Sequence, residues 1–148
     1  MSKIGHKEER EIIKELASNN IFGDGEIKKC KYEYSRYDAF IHKNCIIEIK
    51  DRTTKEGCKV YNSLEIEFDK YSYNIEYSRY GNINFYFVCR YEGNIFVFDM
   101  TNLSERNHPF DWKWEMRPKS TKFKNTEKIP KLVSKIPIKL AWATLPLV

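Results

Sequence analysis

YDAFIHKNCIIEIKDR, residues 37–52, is the stretch on which the fold turns. Its second half, Cys-Ile-Ile-Glu-Ile-Lys, has the β-branched density of a buried strand, yet it carries a carboxylate at Glu48 and an ammonium at Lys50. Side chains two residues apart in a strand share a face, so Glu48 and Lys50 project together while Ile47 and Ile49 point the other way. Charges in an apolar strand need a partner, a metal or a chemical task. Asp38–His42 reads as the preceding strand of a hairpin. A two-residue Lys43-Asn44 turn opposes 38 to 49 and puts Asp38 on the wrong face. A three-residue loop, Lys43-Asn44-Cys45, opposes 38 to 50 and 40 to 48 and brings Asp38, Glu48 and Lys50 together. Asn44 tolerates the left-handed conformation such a loop needs, so we expect the second register. Two carboxylates converging there repel unless a cation sits between them, and hard oxygen ligands favour Mg2+, or Mn2+ in its place, over zinc.

Residues 6–19 place Glu9, Ile12, Ile13 and Leu16 on one helical face, and Asn19-Asn20 with Gly23-Asp24-Gly25 end that helix. Ile27–Tyr34, Asp38–His42 and Cys45–Asp51 then read as three antiparallel strands. Leu64, Phe68, Tyr71 and Ile75, at steps of four, three and four, predict a second helix over 62–78. Ile83–Arg90 and Ile95–Met100 read as two further strands joined at Glu92-Gly93-Asn94, giving the order αβββαββ. Beyond them, Trp112–Arg117 and Leu132–Ile138 look like strands punctuated by Pro118, Pro130 and Pro137, which favour edge strands or extended loops.

A chain of 148 residues holds one complete core, so we expect a single domain over 1–148, with its core at about 6–100 and a basic extension over about 101–148. Ten Tyr and nine Phe exclude a disordered composition. No apolar run approaches the roughly 18 residues of a membrane span, and the polar start carries no signal core, so an intracellular, cytoplasmic protein without membrane contact is expected. Cys30, Cys45, Cys58 and Cys89 form no CxxC pair and are expected as small buried hydrophobes. His42 and His108 lack any metal-ligand spacing and are expected to be structural. The net charge of +5 is unevenly spread: from Trp112 onward nine Lys or Arg face only Glu115 and Glu127, which leaves residues 1–111 at −2. That asymmetry points to a polyanion-facing tail and an acidic pocket elsewhere.

An E-x-K alone occurs in many solvated strands. Here Asp38 stands ten residues earlier on the preceding strand, and a glutamate-bearing helix comes before both. The arrangement resembles the PD-(D/E)XK nuclease superfamily, an α/β fold with a restriction-endonuclease-like αβββαβ core around a central mixed sheet. Its acid stands at the start of the second strand and its (D/E)-x-K on the third. The first helix, Glu9-Arg10-Glu11-Ile12-Ile13-Lys14-Glu15-Leu16, looks like that of archaeal Holliday junction resolvases, with a glutamate seven residues before a leucine. Glu8 is the alternative to Glu9, while Glu11 and Glu15 are expected to be solvated. Tyr37 stands where the superfamily frequently has proline.

The resemblance implies that Asp38, Glu48 and the backbone carbonyl of Ile49 hold a Mg2+ ion, and that Lys50 orients or deprotonates a water for attack on a DNA phosphate. Glu9 would bind a second metal directly or through water, and cleavage would leave a 5′-phosphate and a 3′-hydroxyl. Lys70 falls where relatives often carry an auxiliary Lys or Gln, although a solvated helix lysine is the plainer reading. Arg36, Arg52 and Lys55 flank the site as candidate phosphate contacts. Lys119, Lys122, Lys124, Lys128 and Lys131 would add a sequence-independent contact surface or serve merely as a solvated loop. Tyr71, Tyr73, Tyr77 and Tyr80 could stack on unpaired bases, with core packing or a dimer surface the blander use.

The expected activity is a metal-dependent DNA endonuclease that resolves Holliday junctions or other branched DNA. A homodimer is expected, because cutting two strands symmetrically takes two sites. Two other readings stay open: a sequence-specific endonuclease of restriction or homing type that reads DNA through 112–139, and a non-catalytic nucleic-acid-binding module. The richness in Lys, Asn and Ile is compatible with a phage or mobile-element origin.

Overall fold

A computed structural model describes residues 3–31, 35–52, 62–119 and 127–146, with the backbone alone described for 3–6. Lys55, Cys58, Lys122 and Lys124 lie outside the described residues. Helix α1 (Lys3–Ser18) buries Ile12 and Leu16 completely. It is followed by β1 (Lys28–Lys29), β2 (Ala39–Ile41) and β3 (Cys45–Arg52), paired antiparallel in that order. Any side chain at Gly25 would run into Ile41, so the turn before β1 passes close against β2.

The hairpin register differs from the expected one. Ala39 faces Ile47, Phe40 faces Ile46 and Ile41 faces Cys45, so the loop is His42-Lys43-Asn44 and Asp38 lies beside Glu48 rather than Lys50. Lys43, not Asn44, takes the left-handed conformation, with φ 59°. Cys45 is fully buried, which holds it in the strand instead of releasing it to the loop. The shift is two residues, so the facing of every side chain is unchanged.

Residues expected to begin the second helix form a strand. β4 (Ser63–Glu67) alternates half-buried and buried positions, with Leu64 and Ile66 inward. The period-two signal of Leu64 and Ile66 prevails over the four-residue step from Leu64 to Phe68. Helix α2 then runs Phe68–Gly81, closed by Asn82 in the left-handed conformation. It leads to β5 (Asn84–Tyr91), which lies parallel to β3 along its length, a pairing that needs a crossover. The Glu92-Gly93 turn, with φ 50° and 76°, folds β6 (Asn94–Asp99) back antiparallel.

Three further elements were not expected from the sequence. A short helix α3 (Met100–Glu105) is capped by the Asp99 carboxylate accepting from the Asn102 amide. A 3-10 turn at Ile138–Leu140 follows the second sheet, and β9 (Ala143–Pro146) returns to cover the edge of β6. β7 (Lys113–Pro118) and β8 (Lys128–Pro137) are strands as anticipated.

The result is a mixed α/β architecture. A six-stranded mixed sheet runs β1-β2-β3-β5-β6-β9, and a second sheet runs β4-β8-β7. β8 is central in the second sheet, yet its prolines sit where it has one neighbour: Pro130 lies opposite β7 alone and Pro137 opposite β4 alone. One face of the main sheet packs Ile47, Ile49, Val88 and Val97 against Ile12 and Leu16 of α1. The other packs Ile46, Phe85, Phe87 and Phe98 against Leu64 and Ile66 of β4 and Ile75 of α2. Tyr71 belongs to the second layer, in contact with Phe110 and Trp112, whereas Tyr73, Tyr77 and Tyr80 are exposed. Cys45 and Cys89 are buried and Cys30 half-buried, all three as free thiols. No helix among the described residues is long and apolar enough to cross a membrane.

Candidate active site

Along the β4- and α2-facing side of β3, the apolar Ile46 gives way to Glu48, Lys50 and Arg52. Glu48 is 2% exposed. Its Oε1 lies 3.7 Å from the Lys70 ammonium of α2, and its Oε2 is buried with no hydrogen-bond partner. Burial, then the neighbouring Asp38 charge, pushes the Glu48 carboxyl up to about 8, against the opposing pull of Lys70 and Lys50. A buried carboxylate with an orphaned oxygen is costly and persists where something else can satisfy it.

Asp38 sits just before β2. Its backbone amide donates to the Ile47 carbonyl at 2.9 Å, and its Oδ2 accepts from the Ile49 amide at 2.7 Å. The carboxylate is thus fixed across the hairpin beside Glu48. The residue ahead of the Asp38 approach is held too, since buried Asn74 of α2 donates to the Arg36 carbonyl at 3.0 Å.

Glu9 of α1 reaches the same region from the helix side, ion-paired to Lys29 of β1 at 3.3 Å. Burial, then Asp38, raises its carboxyl above the ordinary value, while Lys29 and Lys50 pull it down. Glu8 faces elsewhere, toward Asp51 and Arg90, and burial followed by its hydrogen bond with Asp51 raises it. Glu11 is not simply solvated, for it pairs with Arg90 at 3.2 Å.

The other sequence candidates divide. Lys70 departs from the solvated reading by turning to Glu48. Arg52 does not face outward to phosphate: β3 continues through it, and its guanidinium is drawn under β4, donating to the Glu65 carbonyl at 3.0 Å with Nε buried and unpartnered. Arg36 is exposed, its guanidinium 4.9 Å from the Tyr73 ring centre. Lys119 is exposed, 3.9 Å from Glu127, and Lys128 is exposed. Lys131 is bound to Glu67 at 3.0 Å, not free for solvent or DNA. His42 is exposed in the hairpin loop, and His108 packs edge-on to Phe110.

Glu67, at the junction of β4 and α2, was not anticipated. Although burial opposes it, the Lys131 hydrogen bond and the ammoniums of Lys50, Lys131 and Lys70 hold its carboxyl below the ordinary value. Four charged residues from β3, α2, β4 and β8 therefore share one neighbourhood. The contact joins residues 64 apart in sequence, and no local pattern signals it.

Among the described residues, no three His, Cys, Asp or Glu side chains form a ready metal-holding group. Two carboxylates do meet, and the orphaned Oε2 of Glu48 is the kind of hard, unsatisfied oxygen that suits a divalent cation. The chain matches no protein-family model, no curated protein and no solved structure.

Proposed function

We propose that the chain is a Mg2+-dependent DNA endonuclease of the PD-(D/E)XK kind, acting on Holliday junctions or other branched DNA as a homodimer. The observation that carries the reading is Glu48: a nearly fully buried carboxylate with an unsatisfied oxygen, beside Asp38 and facing a lysine. The order α1, β1, β2, β3, α2, β5, with β3 parallel to β5, fits a restriction-endonuclease-like core; β4 and the second sheet are then additions to it.

Asp38, Glu48 and the Ile49 carbonyl are the residues to hold Mg2+, or Mn2+, with Glu9 near enough in charge to assist. When bound, the cation supplies Lewis-acid polarisation of the phosphate and a more acidic water. Lys50, on the Glu48 face, orients the attacking water, and Lys70 favours the ionised form of Glu48 without cancelling the burial that raises it. Burial of Glu48 lowers the local dielectric and strengthens its interactions with these charges.

The test is cleavage of a labelled four-way junction, a linear duplex and a single strand in Mg2+, by wild type and by Glu48→Ala, Lys50→Ala. Paired cuts near the branch that vanish in the variant are expected. Cutting at one duplex sequence would replace the branched-DNA reading with a site-specific enzyme, and wild-type inactivity on all three would overturn the nuclease reading.

A further inference from the structure

A cleft of about 480 Å3 opens between α1 and β1, within the range of roughly 300–1,000 Å3 that ligand sites occupy. Its rim carries Arg10, Lys14, Lys29 and Lys31, its floor is Ile13 and Ile27, and among the described residues no acidic side chain lines it. Arg10 and Lys14 are one turn apart on α1, exposed, and among the described residues neither enters an ion pair. Lys29 is paired with Glu9, and the three other cations around the hollow repel one another, an arrangement that a polyanion relieves.

The cleft abuts the acidic site. Cys30, which also lines it, donates its amide to the Asp38 carbonyl at 2.8 Å, and Lys29 on the rim is the partner of Glu9. The sign of the surface therefore reverses within one strand width, from carboxylates at Glu9 and Asp38 to cations beyond Lys29.

We propose that this cleft holds a single nucleic-acid strand, its backbone phosphates on Arg10, Lys14 and Lys31 and an unpaired base or sugar against Ile13 and Ile27. An apolar floor beneath a cationic rim suits a single strand, which offers bases as well as phosphates, better than a duplex, whose bases stay stacked. That the strand continues to Asp38 and Glu48 for cutting rests on the nuclease reading above; the binding chemistry of the cleft does not. The substrate class is thereby narrowed to DNA with an unpaired strand next to the cut.

The test is fluorescence anisotropy of a labelled oligothymidylate in EDTA, across a range of salt. It compares wild type, Arg10→Gln/Lys14→Gln, and a control, Arg106→Gln/Lys139→Gln, which removes equal charge elsewhere. Glutamine keeps helix propensity at both cleft positions, and unchanged thermal melts establish folding. The cleft variant is expected to bind roughly tenfold more weakly, with a salt slope shallower by about 1.4 for two lost phosphate contacts. The control should stay within about twofold of wild type on the same grounds. Equal weakening in both variants, no change in the cleft variant, or no wild-type binding would overturn the proposal. Wild-type cutting of DNA with oligonucleotide binding indifferent to Arg10 and Lys14 sinks the cleft alone. Cleft-dependent binding with no cutting of any DNA leaves the cleft standing and sinks the nuclease reading.

Discussion

In the proposed nuclease, Glu48 sets function against stability. Its carboxyl is raised from 4.5 to about 8, so ionising it costs more in the folded than in the unfolded chain. The folded state therefore loses stability as pH rises from the ordinary glutamate range through about 8, and the penalty is absent below it. Glu48→Gln removes the charge at nearly constant volume. Without divalent ions the variant should match wild type near pH 5 and melt several degrees higher near pH 8.5, a gap that thermal unfolding at the two pH values measures. Added Mg2+ should raise the melting temperature of wild type and leave the variant unmoved. The pairing of Glu48 with Lys50 on one face follows from strand periodicity alone. That Asp38 shares their face was legible as well, because a register error of two preserves facing. Its neighbour was not, since the choice between opposing 48 and opposing 50 depends on whether Cys45 is buried, a tertiary fact.

At the level of elements, the site is held by ties between pieces distant in sequence. Arg90 of β5 donates to both Asp51 oxygens of β3, at 2.9 and 2.6 Å, and to Glu11 of α1. The Arg90 hydrogen bonds hold the Asp51 carboxyl below its usual value, although burial pushes the other way. Its contribution is therefore full above about pH 3.8 and is lost as pH falls through the lowered value. Asp51→Asn should cost about 2 kcal/mol at pH 7. The difference from wild type in urea unfolding should shrink toward pH 3. Asn74 is a second tie, its buried side chain anchoring the Arg36 carbonyl ahead of Asp38. Asn74→Ala should cost about 1–3 kcal/mol, and cleavage should fall further than the lost stability explains, a comparison made at a temperature where both proteins are fully folded. The strands flanking the site were readable because their alternation or apolar density is strong. β4 was hidden because Leu64 also fits a helical step toward Phe68, Tyr71 and Ile75, and only its pairing to β8 decides between the periods. α3 and β9 are short, and their existence depends on the edge they cover.

Across the whole molecule, acidic and basic regions are segregated, but the basic C-terminal third is not simply an outward DNA surface. Arg117 and Lys131 of the second sheet bind Glu65 and Glu67 of β4 and so brace the strand that leads into α2. Composition could reveal the excess of cations; it could not distinguish those spent on internal pairs from Arg10 and Lys14, which stand on α1 among acidic residues. The covering of the main sheet is a molecular property too. β9 shields the outer edge of β6, with the Trp142 amide donating to Val97. A chain ending at Leu140 should expose that edge and aggregate at concentrations where the full chain stays monodisperse, as light scattering would record.

The most direct measurement is the single-turnover rate of Mg2+-dependent DNA cleavage by wild type and Glu48→Gln, each with its melting temperature in the same buffer. The account predicts a variant at least as stable as wild type that cuts about a thousandfold more slowly or not at all, the scale expected when a group that stabilises transition-state charge is removed. A stable Glu48→Gln protein that cuts as fast as wild type would contradict it.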